Sequence, residues 1–435
     1  MKGGQRHGAV GVGLASLCLV VAACGSSGHS AAGVSVPPSS GTGSGRTLTA
    51  SAPGITPSTI TIGMIADSTG PAGVPAFAQG AKDRVAYQNA HGGIDGRQLR
   101  LVVEDDQTNP TTASTAAQLL AQRPVFGVVS TSDVLFAATP FLTRDNIPVT
   151  GFGFDGPEWG TSANMFAYSL PTLSNYGGKS YQYNTQDKFF KQIGMTKLAV
   201  LAYDIPSAQK NEKYVAAMAP PLGIQICYAN YSVPFGATDF TAAVLQIKQA
   251  GCNGVVGAFA EPTDIALAKA IHNAGLDLKQ YYYTTGTPSI FDDPTVEQAL
   301  DGTYTSGIPN HGSGPGWQAV VNFEGQLQSV DSSYKGGVPD GNLMNGWDSV
   351  DTMIEGLRVA GTNPTRQSFE QNLRTDHSYT MGGLFPSAVD FDYLTGSFPD
   401  QLCQQGGFLQ ITNHQFVETP SAGTTICGQK VTFKS

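Results

Sequence analysis

Residues 60–66 read Ile-Thr-Ile-Gly-Met-Ile-Ala, and a helical pattern follows over residues 75–89. A second apolar run at residues 99–104 and a second helical pattern at residues 111–122 repeat this arrangement. Short β-branched runs that alternate with helical stretches are typical of βαβ units. The sequence therefore predicts an α/β fold with a mostly parallel sheet.

The alternation continues in two series, each of which predicts one doubly wound domain. The first series has predicted strands at 60–66, 99–104, 125–130 and 148–151, and predicted helices at 75–89, 111–122 and 135–145. The second has predicted helices at 182–193, 210–218, 239–250 and 263–274, and predicted strands at 198–203, 224–231, 254–259 and 281–284. Later segments comprise a strand at 303–308, helices at 317–329, 344–359 and 366–373, and β-rich sequence over 383–433.

The order of these segments favours two lobes. If the late helices return to the first domain and the late strands to the second, the chain crosses between the domains three times. We therefore predict two doubly wound parallel-sheet lobes joined by a three-segment hinge. The predicted bounds are 58–168 and 306–375 for lobe 1, and 169–305 and 376–435 for lobe 2.

Composition excludes several classes of partner. Only 13% of the 435 residues are charged, and the formal net charge of -9 repels nucleic acid phosphates. The chain contains no run of eighteen or more apolar residues that would span a bilayer as a helix. We therefore expect no nucleic acid partner, and contact with a membrane only through the N-terminus.

The N-terminus has the pattern of an export signal. Lys2 and Arg6 precede an apolar stretch over residues 9–21, which is too short to cross a membrane. It ends in Val-Ala-Ala-Cys at residues 21–24, which resembles a bacterial lipobox. We predict a lipoprotein signal peptide over residues 1–23, lipidation of Cys24, and an anchor on the outer face of the cell membrane. The alternative is an ordinary cleaved signal with Cys24 incidental.

The segment after Cys24 is predicted to be disordered. Residues 25–51 consist mostly of Gly, Ser, Ala, Thr and Pro, which bury too little apolar surface to fold. We therefore assign residues 24–57 to a Gly/Ser-rich tether.

Four cysteines remain once Cys18 is lost with the signal and Cys24 is acylated: Cys227, Cys252, Cys403 and Cys427. Four cysteines in an exported protein allow three pairings. The first two bridge if their apolar runs form adjacent parallel strands, and the last two flank a predicted hairpin centred near Asn413. Two local disulfides are the simplest solution. A zinc site is the competing interpretation, although no CxxC or CxxH spacing supports it.

The strand-end loops are the predicted ligand site, because open α/β sheets bind ligands beyond the carboxyl ends of their strands. The loops are rich in Ser, Thr, Gly and aromatic residues and span 66–75, 130–134, 151–159, 204–209, 260–264 and 285–289. This composition suits hydrogen bonding and stacking to a small molecule.

Several short motifs carry a resemblance to a known family. They are Thr69-Gly70-Pro71, Gly92-Gly93-Ile94-Asp95-Gly96, Asp105-Asp106-Gln107, Thr238-Asp239-Phe240 and Gly346-Trp347-Asp348. In this order the chain resembles the type I periplasmic binding proteins, substrate-binding lipoproteins of ABC importers that include the Leu/Ile/Val-binding proteins. The resemblance covers nearly all of residues 60–433. It implies two hinged lobes that close on a ligand and deliver it to a permease.

The resemblance also suggests ligand-binding residues. The Ser/Thr cluster that holds a polar head in the family falls here on residues 130–133. The candidate ligand-binding residues are Ser68, Thr131, Ser132, Asp133, Phe152, Phe154, Ser207, Glu261 and Thr285, with Trp159 as a further packing partner. A carboxylate that pairs with an α-ammonium would fall near residues 285–287, where none exists. We therefore expect a ligand that is amino-acid-like or less cationic, such as an aromatic compound or an amide, although Asp133 or Glu261 can still supply a countercharge.

An enzyme is the competing class of function. The sequence contains neither a Gly-x-Ser-x-Gly elbow nor an HExxH helix, and no histidine falls in a strand-end loop beside a Ser or Cys. We predict a monomeric solute-binding protein without enzymatic activity, cofactor or metal. The alternatives are a binding protein that reports to a membrane receptor and, less favoured, a secreted hydrolase.

Overall fold

A computed structural model describes residues 47–153, 155–169, 175–307, 312, 314–337, 340–385, 388–392, 394, 398–405, 407–421 and 424–434. The chain from Thr47 onward forms one compact unit. The predicted signal peptide, Cys24 and residues 24–46 of the predicted tether lie outside the described residues. Within the described part of the chain, no helix combines the length and the apolar character needed to cross a membrane.

Lobe 1 is built on a five-stranded parallel sheet with the order β2-β1-β3-β4-β5. Its strands are β1 Thr59–Ala66, β2 Gln98–Asp105, β3 Val128–Ser130, β4 Val149–Gly151 and β5 Met165–Ala167. Strand β1, which lies between β2 and β3, is apolar on both faces, and Ile60, Ile62 and Ile65 are fully buried. Such continuous apolar strands are expected where helices cover both faces of a parallel sheet.

The helices of lobe 1 come from both segments of the chain. They are α1 Pro75–Ala90, α2 Pro110–Gln122, α3 Thr139–Arg144, α4 Glu158–Thr161, α10 Gly314–Gln328, α11 Gly341–Ala360 and α12 Arg366–Arg374. Helices α1 and α11 cross with their backbones in contact. A Cβ added to Gly80 would lie 1.8 Å from the Leu343 carbonyl oxygen, and one added to Gly346 would lie 1.9 Å from that of Phe77. The Gly-Trp-Asp motif therefore begins with the glycine that permits this crossing.

Lobe 2 has a seven-stranded mixed sheet with the order β14-β13-β11-β10-β9-β7-β8. The parallel strands are β7 Lys197–Tyr203, β8 Gln225–Val233, β9 Gly254–Ala258, β10 Lys279–Tyr282 and β11 Tyr304–Ser306. The antiparallel additions are β13 Phe408–Thr412 and β14 Gln415–Glu418. The helices are α5 Thr185–Gln192, α6 Pro206–Met218, α7 Thr241–Gln249, α8 Glu261–Asn273 and α9 Pro294–Leu300.

The predicted hairpin near Asn413 is confirmed. Asn413 and His414 join β13 to β14 with φ values of 50° and 60°. A two-residue turn with positive φ at both positions has the twist that suits an antiparallel hairpin.

A third, antiparallel sheet has the order β12-β15-β6. Its strands are β6 Lys179–Tyr183, β12 Gln401–Gln405 and β15 Thr425–Lys434. The sequence predicted a helix from residue 182 and did not predict strand β6. The helix begins only at Thr185, because β15 hydrogen-bonds β6 through residue 183.

Both local disulfides are present, Cys227–Cys252 and Cys403–Cys427. The second joins directly opposed residues of β12 and β15. The predicted reason for the first is wrong, because β7 lies between β8 and β9 and these strands are not adjacent. Instead, Cys227 lies where the register of β8 shifts against β7, and Cys252 lies in the loop before β9.

The predicted lobe boundary at residue 376 is also wrong. Tyr379, Met381, Val389 and Phe391 are buried in the lobe 1 core. The Arg374 guanidinium donates to the Phe391 carbonyl over 2.6 Å and so holds this irregular segment in place. The chain returns to lobe 2 by residue 398, whose ring packs on the rings of Tyr176 and Tyr181.

Residues 47–57, which composition assigned to the tether, lie against lobe 1. The buried Arg97 guanidinium donates to the carbonyl oxygens of Thr49 and Thr56 at 3.1 and 2.8 Å, and it also reaches the Thr362 carbonyl at 2.6 Å. Ile55 is 3% exposed. The folded unit therefore includes these residues, because Arg97, which directly precedes β2, hydrogen-bonds two of their carbonyl groups.

The predicted fold is confirmed in its main features. The chain forms two lobes, each with a parallel sheet, and passes between them three times, after β5, after β11 and between residues 392 and 398.

Candidate functional site

The strand ends of lobe 1 bring five predicted ligand residues to one edge of the sheet. Ile65, Ser130 and Gly151 stand side by side in β1, β3 and β4. The residues that follow them therefore emerge together, and they include Ser68, Thr131, Ser132, Asp133 and Phe152.

The hydroxyl groups at this edge differ in whether they have hydrogen-bond partners. The Ser130 hydroxyl donates to the Ile65 carbonyl over 3.1 Å, and the Ser132 hydroxyl oxygen accepts from the Val134 amide at 3.0 Å. The buried hydroxyl oxygens of Ser68 and Thr131 have no hydrogen-bond partner in the structure. These two groups are therefore unpartnered polar atoms at the lobe 1 edge.

The same edge holds carboxyl groups that sequence reasoning did not select. Asp67, Asp106, Asp155 and Glu158 are all buried beside the predicted Asp133. Burial raises the pKa of Asp67 well above its usual value, and the Asp133 and Asp106 carboxyls add to the rise. Burial and the neighbouring Asp106 raise the pKa of Asp133 to about 7. We call Asp67, Asp106, Asp133, Asp155 and Glu158 the lobe 1 carboxyl cluster.

The sequence feature that indicates this cluster is the position of its aspartates shortly after predicted strands. Asp67, Asp106 and Asp155 follow β1, β2 and β4 within one to four residues. In contrast, Asp105 has a local role, because its carboxylate accepts from the amides of Ser68 and Thr69, each at 3.1 Å. These hydrogen bonds hold the pKa of Asp105 below its usual value, although its partial burial acts in the opposite direction.

The predicted aromatic residues take different positions. Phe152 is half-buried and meets Tyr168 edge-on, with ring centroids 5.6 Å apart. Phe154 lies outside the described residues. Trp159 is 1% exposed in the lobe 1 core, and its indole N–H donates to the Asp155 carboxylate. Trp159 therefore acts on the site by holding Asp155 and does not form an open stacking surface.

Lobe 2 brings its three predicted residues together in the same way. Ser207, Glu261 and Thr285 follow β7, β9 and β10, which are neighbours in the sheet. The Thr287 hydroxyl donates to the Glu261 carboxylate over 2.6 Å. Burial, with Asp340 of lobe 1 adding to the effect, raises the pKa of Glu261 to about 7. Thr285 is fully buried, and its hydroxyl has no partner in the structure.

The two edges face each other. Ala72, in the loop after β1, is fully buried among the apolar side chains of lobe 2. Burial raises the pKa of Tyr203 in lobe 2, and Asp133 of lobe 1 is close enough to add to this rise. A pocket of about 160 Å³ lies between the lobes and is lined by residues 73–76, 340 and 342 of lobe 1 and 261, 262 and 289 of lobe 2. The structure is therefore that of lobes closed over their strand ends.

No group of three or more His, Cys, Asp or Glu side chains in the described ranges is arranged to hold a metal ion. The lobe 1 carboxyl cluster consists of neighbouring buried carboxyl groups with raised pKa values.

Comparison with known proteins identifies the family. A family model described as periplasmic binding protein matches residues 59–396. No curated protein sequence gives a significant match.

Three solved structures illustrate the similarity. A fatty acid ABC transporter substrate-binding protein from Thermomonospora curvata is 16% identical, with TM-score 0.66 over 89% of this chain and 95% of its own. A leucine-binding protein from Thermotoga maritima is 14% identical, with TM-score 0.65 and coverage of 84% and 98%. A solute-binding protein from R. palustris in complex with benzoate is 16% identical, with TM-score 0.65 and coverage of 85% and 97%. At these identities the solved structures support the fold alone. The family model matches most of the sequence and therefore identifies the family. The chain belongs to the periplasmic binding protein family.

Proposed function

We propose that this protein captures a small molecule between its two lobes and delivers it to an ABC permease. The observation that carries the proposal is the facing arrangement of the two strand-end edges, with Ala72 of lobe 1 buried in lobe 2 and a pocket between them. Ligands of open α/β sheets bind at such edges. Two of the similar structures, an ABC transporter substrate-binding protein and an ABC transporter solute-binding protein, support the second step.

Closure of the lobes is the proposed mechanism. A ligand that contacts both edges binds the closed form more tightly than the open form, and it therefore shifts the population toward closure. The three chain crossings supply the hinge. The permease then distinguishes the loaded protein by its closed surface.

The proposed contacts are five hydroxyl groups, two carboxyl groups and one aromatic side chain. Lobe 1 contributes Ser68, Thr131, Ser132, Asp133 and Phe152, and lobe 2 contributes Ser207, Glu261 and Thr285. The unpartnered hydroxyls of Ser68, Thr131 and Thr285 support this set, because buried polar groups normally have hydrogen-bond partners. Phe154 remains a predicted member of the set.

Ligand screening tests the proposal. The purified protein is screened by thermal shift and calorimetry against amino acids, aromatic acids, amides, amines and sugars, and hits are followed by small-angle scattering to detect closure. We expect stoichiometric binding with a decrease in radius of gyration. Catalytic turnover of a bound compound, with release of a product and no closure, would show that the protein is an enzyme.

We also propose that Cys24 carries the lipid that holds the protein at the outer face of the membrane, as a monomer. The lipobox-like residues 21–24 and the Gly/Ser-rich segment after them support this proposal. We expect Cys24→Ala to move the protein from the membrane fraction to the medium or periplasm. Retention of the variant in the membrane fraction would contradict lipid anchoring.

A further inference from the structure

The lobe 1 carboxyl cluster is unusual because it has no basic partner. Among the described residues, none of its five carboxyl groups forms an ion pair with Lys, Arg or His. Burying a charged group is unfavourable unless it is paired. The structure therefore shows an arrangement that a positively charged group would stabilise.

Unpartnered atoms show where such a group would fit. One carboxyl oxygen each of Asp67, Asp106, Asp155 and Glu158 is buried without a hydrogen-bond partner. The Thr131 hydroxyl, on a residue that is 3% exposed and two positions before Asp133, also lacks a partner. This hydroxyl is independent of the charges and lies on the same edge. Together these are buried polar atoms that lack hydrogen-bond partners.

Asp133 differs from the other members of the cluster in its exposure. It is the only one of the five that is partly exposed, whereas the other four are buried behind it. It also lies close to Tyr203 of the opposite lobe. Asp133 is therefore the member of the cluster that is both partly exposed and near the opposite lobe.

We propose that the cleft selects a ligand with a cationic N–H donor, an alkylammonium or guanidinium group, which lies against Asp133 in lobe 1. The inference rests on the proposed solute-binding function and assigns its ligand class. The expectation of a less cationic ligand came from residues 285–287 of lobe 2, where no carboxylate exists. Here the countercharge comes from the opposite lobe. The rest of the ligand lies toward Phe152 and the hydroxyls of Ser207 and Thr285.

The protonation state of Asp133 should make the affinity for a cationic ligand depend on pH. The groups that interact with Asp133 are the carboxyls of Asp67, Asp106 and Asp155 and the Tyr203 hydroxyl, and Glu158 lies behind them beside Asp155. Because the pKa of Asp133 is about 7, its carboxyl group is mostly protonated below that pH and must lose a proton before it can pair with a cation. Cation affinity should therefore increase about tenfold between about pH 6 and pH 8 and then level off.

The test compares matched ligands by calorimetry at both pH values. The cationic probes are putrescine, agmatine and arginine, and the comparison probes, which carry no cationic group, are pentanamide and benzoate. We expect a cationic probe to bind with the stated pH dependence and with proton release, as measured in buffers of different ionisation enthalpy. Asp133→Asn should weaken its binding by about tenfold or more, because a charge-assisted hydrogen bond is lost.

Asp145→Asn is the control variant, since it removes the same charge from lobe 1 at the opposite end of the sheet, in the loop before β4. It should bind the cationic probe as the wild type does. Asp133→Asn should also melt no lower than the wild type at about pH 8, because it removes one of several like charges. This melting control separates loss of binding from loss of folding.

The other outcomes are decisive as well. If pentanamide or benzoate binds and closes the lobes while the cations do not, the ligand class is wrong and the solute-binding function stands. If a cation binds equally well to Asp133→Asn, the assignment to Asp133 is wrong. If none of the probes binds and the lobes do not close with any compound of the broader screen, the solute-binding function itself fails.

Discussion

The crossing of α1 and α11 makes a sharp prediction about Gly346. An added methyl group would lie 1.9 Å from the Phe77 carbonyl oxygen, at least 1.5 Å short of ordinary van der Waals contact at 3.4–4 Å. The neighbouring atom is backbone, so it cannot rotate away as the end of a side chain would. Gly346→Ala must therefore push α11 away from α1 and disturb the buried Trp347 and Val350 beside it.

The expected cost follows from these distances. Overpacking a well-packed core typically costs about 1–3 kcal/mol, and a displacement of a whole helix belongs at the upper end. Alanine recovers up to about 1 kcal/mol of helix propensity relative to glycine. We expect a net loss of about 2 kcal/mol in the free energy of unfolding, or a fall in Tm of about 4–8 °C for a unit the size of lobe 1.

Thermal melting followed by circular dichroism measures this change. Gly325→Ala in α10 is the matched control, because that glycine is exposed and an added Cβ has no atom within 4 Å. We expect the control to leave Tm unchanged or to raise it slightly. If Gly346→Ala melts together with Gly325→Ala, the close helix crossing is not what requires the glycine, and the reasoning fails.

Three further predictions concern lobe 2 and its contact with lobe 1. Replacing Cys227 and Cys252 together by Ser should cost about 3 kcal/mol of unfolding free energy, since the bridge closes a loop of about 25 residues; equal urea midpoints for the oxidised wild type and the variant would contradict this. Burial raises the pKa of Glu212 to about 8, so the stability it contributes is present at low pH and is lost as pH rises from about 4.5 to 8. Glu212→Gln should therefore be progressively more stable than the wild type as pH increases through this range, and a pH-independent difference in urea unfolding would refute the assignment. Ala72→Glu places a charge where lobe 2 buries a methyl group, so ligand affinity should fall about tenfold or more while lobe melting stays unchanged; undiminished affinity would show that this contact is not needed for closure.

The fold was largely predictable because its signals are local. Apolar runs such as residues 60–66 and 198–203 match strands within one or two residues. The errors fall where distant segments decide the structure. Residues 180–183 form a strand because β15 pairs with them, and residues 379–391 join lobe 1 because their aromatic side chains are buried there. Neither partner is visible from local periodicity.

The strand-end position of the candidate site follows from the sequence, but its buried charges do not. Strand ends located Thr131, Asp133 and Glu261 at the facing edges, because that rule depends only on the sheet. Buried acids such as Asp67 and Asp106 were missed, since an aspartate in a loop is usually solvated and nothing in the sequence shows its burial. The disulfide pairing was predicted correctly, although the strand adjacency behind the first pair was not.

The antiparallel sheet β12-β15-β6 has a consequence for the order of assembly. Strand β6 follows the first crossing, yet its partner β15 consists of Thr425–Lys434, near the end of the chain. A chain that is synthesised or exported from its N-terminus holds β6 without its partner until nearly everything else has emerged. Contacts of such long sequence separation form late, because loop closure must precede them. Lobe 1 also requires α11 and α12, so neither lobe can be complete before the C-terminal third of the chain has emerged. During that interval the unpaired sheet edges are the surfaces most exposed to aggregation or chaperone binding.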